Sequence, residues 1–199
     1  MSMFWPPNSQ GPRSLRRVVS LLFASFITFF MLVPVQAQAW EGQVWTGVGL
    51  SNTVAPAPSA LGRWGPSLHL GANLQLGDFW KVGLDLGGSF HPTLEEEDER
   101  WESLLVTSVA LEARYALDVF TYVPYLGLAG VVYPTGPSSE RAPGGEALGL
   151  RASLGADYRQ SRDRSLGLAF DLHAPLSAPQ NFPLYVSARL YLAWHFRTF

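Results

Sequence analysis

Residues 184–199 most constrain what this chain can fold into. Their sequence, LYVSARLYLAWHFRTF, alternates apolar and polar side chains with a period of two, which predicts a β-strand with one apolar and one polar face. The apolar row from Leu184 to Phe196 is roughly 40 Å long at about 3.3 Å per residue. A strand of this length, tilted by about 45°, spans the hydrocarbon core of a bilayer, so the pattern is typical of a membrane barrel.

Seven more segments of the same alternation precede this one. The predicted strands are residues 43–51, 64–76, 79–90, 103–117, 122–133, 147–159, 165–176 and 184–199. Long connections at 52–62, 91–102, 134–146 and 177–183 alternate with short ones at 77–78, 118–121 and 160–164. The pattern predicts an all-β fold, a single eight-stranded antiparallel up-and-down transmembrane β-barrel, with long loops outside the cell and short turns in the periplasm.

The polar row of each predicted strand carries ionisable side chains among glycine, alanine and serine. In a water-soluble sandwich this row would have to form the core, at a prohibitive cost unless every charge were paired. We therefore expect the apolar row to face lipid and the ionic row to fill a lumen without a continuous pore, acids pairing with bases. Gly83, Gly127, Gly155 and Gly167 are expected to make room for arginine side chains. The predicted network comprises Lys81, Asp85, Glu112, Arg114, Arg151, Asp157, Asp171, His173 and Arg189.

Aromatic residues sort toward the two ends of the predicted strands. Those near the short turns are Trp80, Tyr115, Phe120, Tyr122, Tyr158, Trp194 and Phe196, and those near the long loops are Trp64, Phe90, Trp101, Tyr133 and Phe182. Two such groups separated by Leu and Val predict interfacial girdles, although aromatic residues are common in strands generally.

The first 39 residues have the features of a secretory signal peptide. Arg13, Arg16 and Arg17 precede an apolar run at 18–33, and Ala37-Gln38-Ala39 is a small-x-small cleavage pattern. A membrane anchor is the alternative, but the run is shorter than the usual span of about 20 residues. We expect residues 1–39 to be an N-terminal extension and signal peptide cleaved near Ala39, and residues 40–199 to be one barrel domain.

Charge and cysteine content exclude several function classes. Three of the 14 Lys and Arg residues lie before residue 40 with no acid, so the remainder carries 11 basic and 16 acidic side chains. This mildly acidic balance gives no reason to expect nucleic-acid binding. The absence of cysteine excludes thiol catalysis, disulfides and thiolate metal sites.

The chain resembles the small eight-stranded outer-membrane barrels of Gram-negative bacteria, of the OmpA transmembrane-domain and OmpX type and, more loosely, OmpW. The resemblance rests on the signal-like segment, on PYLGLAG at 124–130 and on an aromatic-rich last strand ending in Phe. It implies that the barrel-assembly machinery reads the last strand. In that family the terminal Phe is preceded by alternating apolar residues, but here Arg197 and His195 stand two and four residues before the end. The register that ends at Phe196, three residues earlier, is the better match. The residues of this assembly signal are Leu190, Leu192, Trp194, Phe196 and, at the terminus, Phe199.

Few residues suggest binding or catalytic chemistry. The acidic run at 95–99 is either a divalent-cation site that bridges lipopolysaccharide or a solvated loop tip, and it lacks the spaced ligands of a calcium loop. Asp171 and His173 are candidates for part of an acid–base site, but the His-x-Ser arrangement is missing, because Ala174 and Pro175 follow His173. A place in the charged network of the lumen explains both residues. His69 and His195 point inward as expected for lumen fillers. We expect no catalytic, cofactor or metal site.

The sequence predicts an integral outer-membrane barrel with a charge-filled lumen and a structural or surface-interaction role in the Gram-negative cell envelope. Its expected partners are outer-membrane lipid, lipopolysaccharide and, during biogenesis, the barrel-assembly machinery. The alternatives are a porin-like narrow channel or carrier for small solutes, including hydrophobic ones, a lipid-modifying enzyme, and a soluble exported barrel. The oligomeric state stays open.

Overall fold

The structure, a computed structural model, describes residues 40–55, 64–93, 102–117, 121–134, 147–176 and 184–198. The eight strands are β1 (Trp40–Ala55), β2 (Trp64–Leu76), β3 (Trp80–Thr93), β4 (Glu102–Ala116), β5 (Tyr122–Tyr133), β6 (Ala147–Arg159), β7 (Arg164–Pro175) and β8 (Leu184–Thr198). The predicted signal peptide, the acidic run at 95–99, Phe120, Trp101, Phe182 and Phe199 lie outside the described residues.

Each strand pairs with its neighbour in the sequence, and the last pairs with the first. All eight pairings are antiparallel, and the β1–β8 pairing closes the sheet. The predicted fold class, a closed up-and-down barrel of eight strands, is confirmed. Closure matters physically because it satisfies the backbone donors and acceptors that a sheet edge would leave unpaired. Within the described parts of the chain, no helix is long and apolar enough to cross a membrane.

The two faces of the sheet carry opposite chemistry. Leu84, Leu111 and Leu154 lie on the outer wall, and the outer face of β5 exposes Leu126 and Leu128 by about 60% each. The charged residues that alternate with them are buried inside the barrel. This arrangement follows from the period of two, because successive side chains of a strand point to opposite faces of the sheet.

The outer wall also carries aromatic side chains near the short turns. Trp80 and Phe79 pack against Tyr115, and Tyr122 packs against Tyr158 with ring centroids 5.0 Å apart. Trp194 and Phe196 are exposed at the same end, and Trp64 and Phe90 are exposed near the long connections.

Tyr133 does not belong to either group on the outer wall, so its predicted place in a girdle is wrong. Its side chain is fully buried in the barrel interior. The reason is parity: Leu126 and Leu128 face outward on β5, so the odd-numbered residues of that strand face inward.

The β2–β3 turn has three residues, 77–79, rather than the predicted Gly77-Asp78 pair. Leu76 pairs with Trp80, which places Phe79 in the turn instead of at the start of β3. Gly77 adopts φ = 73°, a conformation that suits glycine because it has no Cβ. The Gln75 side-chain amide closes the turn by donating to the carbonyl oxygens of Gly77, at 2.9 Å, and Asp78, at 3.2 Å.

Candidate functional site

All nine side chains of the predicted lumen network are buried in the barrel. Each is exposed by 5% or less, and they comprise four cations, four carboxylates and His173. Balance of charge is what allows such a layer to form, because an unpaired ion in the interior carries a large desolvation penalty. His69, predicted to point inward, is also buried, and the structure adds His91 to the buried polar side chains.

Asp85 is the centre of the network. One of its carboxylate oxygens, Oδ2, accepts hydrogen bonds from Arg151 and from Arg189, the latter at 2.6 Å. Its other oxygen lies 3.6 Å from Nδ1 of His69. Asp85 is on β3, Arg151 on β6 and Arg189 on β8, so a single carboxylate joins strands on opposite sides of the lumen.

Two more carboxylates extend this cluster. Glu112 Oε2 accepts from Arg114 at 2.9 Å and lies 3.5 Å from Arg151 Nη2. Asp171 Oδ2 lies 3.3 Å from Arg189 Nε, and Asp171 Oδ1 lies 4.0 Å from Arg151 Nε. Every arginine of the cluster therefore faces at least one carboxylate, and the side chains cross the lumen from one wall to another.

Aromatic side chains cover this ionic cluster on both sides along the barrel axis. Toward the short turns, the Arg189 guanidinium lies 4.6 Å from the Trp45 ring and that of Arg114 lies 4.0 Å from the Tyr125 ring. Tyr191 packs 5.4 Å from Trp45, and its hydroxyl oxygen lies 3.1 Å from that of Tyr125. The single proton of the Tyr191 hydroxyl is donated to the Asp157 carboxylate, so Tyr125 is the donor in the contact between the two tyrosines.

A second aromatic layer lies toward the long connections. Tyr185 stacks on His173 with ring centroids 4.1 Å apart, and Tyr133 meets Tyr185 edge-on. Sequence reasoning did not identify either aromatic layer as a lumen seal. The available signal was parity, because Trp45, Tyr125, Tyr185 and Tyr191 all occupy inward positions of their strands.

Four glycines were predicted to make room for arginine side chains, and this prediction is wrong about which side chains fill the space. A Cβ at any of them would collide with a neighbouring side chain, so they do make room, but not for arginine. The space holds Asn73 at Gly83, Glu112 at Gly127, Tyr125 at Gly155 and Tyr191 at Gly167.

The surroundings of His173 bear on the catalytic alternative. The Tyr133 hydroxyl lies 3.0 Å from Nδ1 of His173, and the Ser187 hydroxyl lies 3.5 Å from Nε2 of the same ring. Ser187 also donates to the Asp171 carboxylate at 3.4 Å. The cavity that His173 and Ser187 line has a volume of about 10 Å³, too small for an acyl chain. Among the described residues, no group of three His, Asp or Glu side chains could hold a metal ion.

A larger cavity, about 1160 Å³, opens at the short-turn end of the barrel. Lys81 lies at its inner part and donates to Gln43 Oε1 at 3.4 Å. His195, half-buried at the same end, has Nε2 2.9 Å from Ser165 Oγ. We call this cavity the short-turn vestibule.

The described residues of the predicted assembly signal lie on β8, next to the closing seam. Leu190, Trp194 and Phe196 are exposed on the outer wall, and Leu192 is half-buried there. Leu190 pairs with Val48 and Leu192 with Thr46 of β1. The apolar row of the last strand thus continues across the seam.

Loss of the Tyr191 hydroxyl is expected to destabilise the barrel. Tyr191→Phe removes a donor from the buried Asp157 carboxylate, and hydrogen bonds to charged groups contribute about 1.5–3 kcal/mol. Urea titration of the folded fraction in detergent micelles measures the loss in the free energy of unfolding. The control is Tyr122→Phe, whose side chain is exposed. Equal stability of the two variants would contradict the role given to Tyr191.

Comparisons with known proteins place the fold among solved barrels. No protein-family model matches the chain, and no curated protein matches it in sequence. The N-terminal β-barrel domain of OprF from Pseudomonas aeruginosa is 12% identical, with a TM-score of 0.52, over 80% of this chain and 100% of that one. Ail, the attachment invasion locus protein of Yersinia pestis, solved in complex with the heparin analogue sucrose octasulfate, is 12% identical with a TM-score of 0.56, over 79% and 99%.

At this level of identity the likeness concerns architecture. Both solved proteins are covered almost completely, so the match is to a whole barrel and not to a few strands. The resemblance predicted from the sequence is confirmed at the level of the fold. This chain therefore has the fold of the small eight-stranded outer-membrane β-barrels.

Proposed function

We propose that this protein is an integral protein of the bacterial outer membrane, exported by a signal peptide cleaved near Ala39. The distribution of polarity between the two faces of the barrel carries the proposal. Leucine, valine and tryptophan cover the outer wall, while arginine and carboxylate side chains fill the interior. In water an apolar belt of this extent would drive association, whereas a bilayer solvates it.

The proposed role in the cell envelope is structural or is to make contacts at the cell surface. The lumen is proposed not to conduct ions. The ionic cluster and the two aromatic layers support this, because they occupy the interior of an eight-stranded barrel that is only wide enough for side chains. Outer-membrane lipid and lipopolysaccharide are the proposed partners of the outer wall. The barrel-assembly machinery is the proposed partner of β8 during biogenesis, through the apolar row from Leu190 to Phe196.

Membrane integration has a direct test. Membranes from cells that express the full chain are washed with alkaline carbonate, extracted with detergent and run on gels with and without boiling. We expect the protein to resist the wash and to migrate differently when boiled, because a closed barrel stays folded in cold detergent. Release by carbonate would favour the soluble exported barrel instead.

A closed lumen predicts no conductance steps in planar bilayers. The purified protein, inserted at known density, is expected to leave the membrane current at its baseline, because Asp85 bridges Arg151 and Arg189 across the interior. A large porin reconstituted in the same bilayers is the positive control. Reproducible steps of one size would contradict the closed lumen and favour the narrow channel.

A further inference from the structure

The outer wall of the barrel carries a charged side chain beside one of the short turns. Arg164, the first residue of β7, is exposed and has the same outward parity as Leu166 and Leu168. Of the outward-facing strand positions in the described residues, no other has a charged side chain. Arg162 and Asp163, its neighbours in the β6–β7 turn, line the short-turn vestibule, whereas Arg164 does not.

The backbone at Arg164 is held in place from two directions. Its carbonyl oxygen accepts hydrogen bonds from the amides of Gln160, at 3.1 Å, and Ser161, at 3.2 Å. The adjacent carbonyl of Asp163 accepts from the backbone amide of His195 on β8 at 2.9 Å. The point at which the Arg164 side chain leaves the wall is therefore fixed, while the side chain itself is exposed.

The Arg164 guanidinium makes no ion pair, hydrogen bond or ring contact with any of the described residues. The arginines of the ionic cluster differ in this respect, because each of them faces a carboxylate. A guanidinium is permanently charged, and its fork of donors matches the oxygens of a phosphate or carboxylate. No described carboxylate occupies an outward strand position, so an anionic acceptor for Arg164 would have to come from another molecule.

Aromatic side chains flank Arg164 on the outer wall. Trp194 is its cross-strand partner on β8, and Tyr158 on β6 is opposite Leu166, two residues further along β7. Tyr158 packs in turn against Tyr122. Tryptophan and tyrosine concentrate at the headgroup level of a membrane, because their rings are apolar and their polar atoms reach water. On a wall that faces lipid, these side chains place Arg164 at the depth of the phosphate groups.

We propose that Arg164 and Trp194 bind the headgroup of an anionic phospholipid. The guanidinium holds the phosphate oxygens, and the indole ring packs against the first part of an acyl chain. A headgroup with net negative charge is favoured over a zwitterionic one, whose ammonium group is repelled by the arginine. The short turns of bacterial barrels face the periplasm, so the ligand is a phospholipid of that leaflet and not lipopolysaccharide of the cell surface. This site rests on the proposed location in a membrane and gives it a lipid preference.

Native mass spectrometry of the folded, delipidated protein in detergent measures the affinity of each lipid. The titrants are phosphatidylglycerol, phosphatidylcholine with the same acyl chains, and soluble glycerol phosphate. We expect phosphatidylglycerol to bind about fivefold more tightly than phosphatidylcholine, the factor for one arginine at an anionic surface. Glycerol phosphate, which has no acyl chain, is expected to bind more weakly than either lipid. Equal affinity for the two lipids would overturn the proposal, and tight binding of glycerol phosphate would overturn the assignment to a lipid.

Arg164→Gln and Arg162→Gln separate the site from a general attraction of anions by the turn. Each variant removes one exposed positive charge at the same turn, so both are expected to fold. Arg164→Gln is expected to abolish the preference for phosphatidylglycerol. Arg162→Gln, whose side chain lines the vestibule, is expected to change that preference less than about twofold. A preference that survives Arg164→Gln, or is lost equally in both variants, would refute the site.

The indole N–H resonance of Trp194, assigned by its disappearance in Trp194→Phe, locates the lipid on the unmodified chain. During titration with phosphatidylglycerol in micelles it is expected to shift in a saturable manner, while that of Trp64, exposed near the long connections, stays in place. Saturable binding without a shift at Trp194 would place the lipid elsewhere and contradict the assignment. A protein that resists carbonate but shows no lipid preference would keep its proposed location and lose only this site.

Discussion

Asp85→Asn is expected to lower the free energy of unfolding by about 3–5 kcal/mol, the usual cost of removing one partner from a buried ionic cluster. The asparagine has nearly the same shape, so packing is preserved and the change is one of charge. Arg151 and Arg189 would keep at most an amide oxygen as acceptor and would both lose the negative charge that they share. Two guanidinium groups would then repel each other in an interior that excludes water.

Urea titration in detergent micelles, scored by the gel shift between folded and boiled protein, measures the effect of Asp85→Asn. The matched control is Asp78→Asn, the same chemical change at an exposed position in the β2–β3 turn, with an expected effect within about 0.5 kcal/mol. A loss at Asp85 no larger than at Asp78 would mean that the ionic cluster does not support the barrel.

Leu128→Arg is expected to cost about 2–4 kcal/mol when the barrel is folded into lipid vesicles. Leu128 is 60% exposed on the outer wall and stands midway along β5. If the wall faces lipid, this position is close to the middle of the hydrocarbon layer. A guanidinium there loses its hydration without gaining a partner.

Leu76→Arg is the control for Leu128→Arg, because it makes the same substitution on the outer wall at the last residue of β2, beside a short turn. Near the interface an arginine reaches the headgroups, and the expected cost is about 0–1 kcal/mol. Unfolding of both variants is followed in the same vesicles. Equal stability of the two variants would contradict a lipid-facing wall, because on a wall that faces water an exposed arginine would change the free energy of unfolding little at either position.

Sequence reasoning predicted the strands and the two faces well, for a physical reason. A period of two assigns each side chain to a face without knowledge of any contact. The bounds of β2, β5 and β6 are the predicted ones, and the long β8 differs only at its last residue, which is not described. Solvation then decided which face lies outside and which inside, because the cost of burying nine ionisable groups in an apolar core is prohibitive.

Partners within the lumen could not be predicted in this way. Parity places Asp85 and Arg189 inside, but their contact depends on the tilt and stagger of strands 104 residues apart. The same limit explains the glycines, whose neighbours were predicted to be arginines and proved to be other side chains. Tyr133 was an avoidable error, since the parity of β5 already assigned it to the interior.

The contacts of Asp85 have a consequence for how the barrel assembles. Its two arginine partners follow 66 and 104 residues later in the chain, on β6 and β8. A truncated chain that lacks β8 would keep Asp85 and Asp171 but lose Arg189, so its interior would hold surplus negative charge. The charges of the interior therefore balance only when β8 is in place.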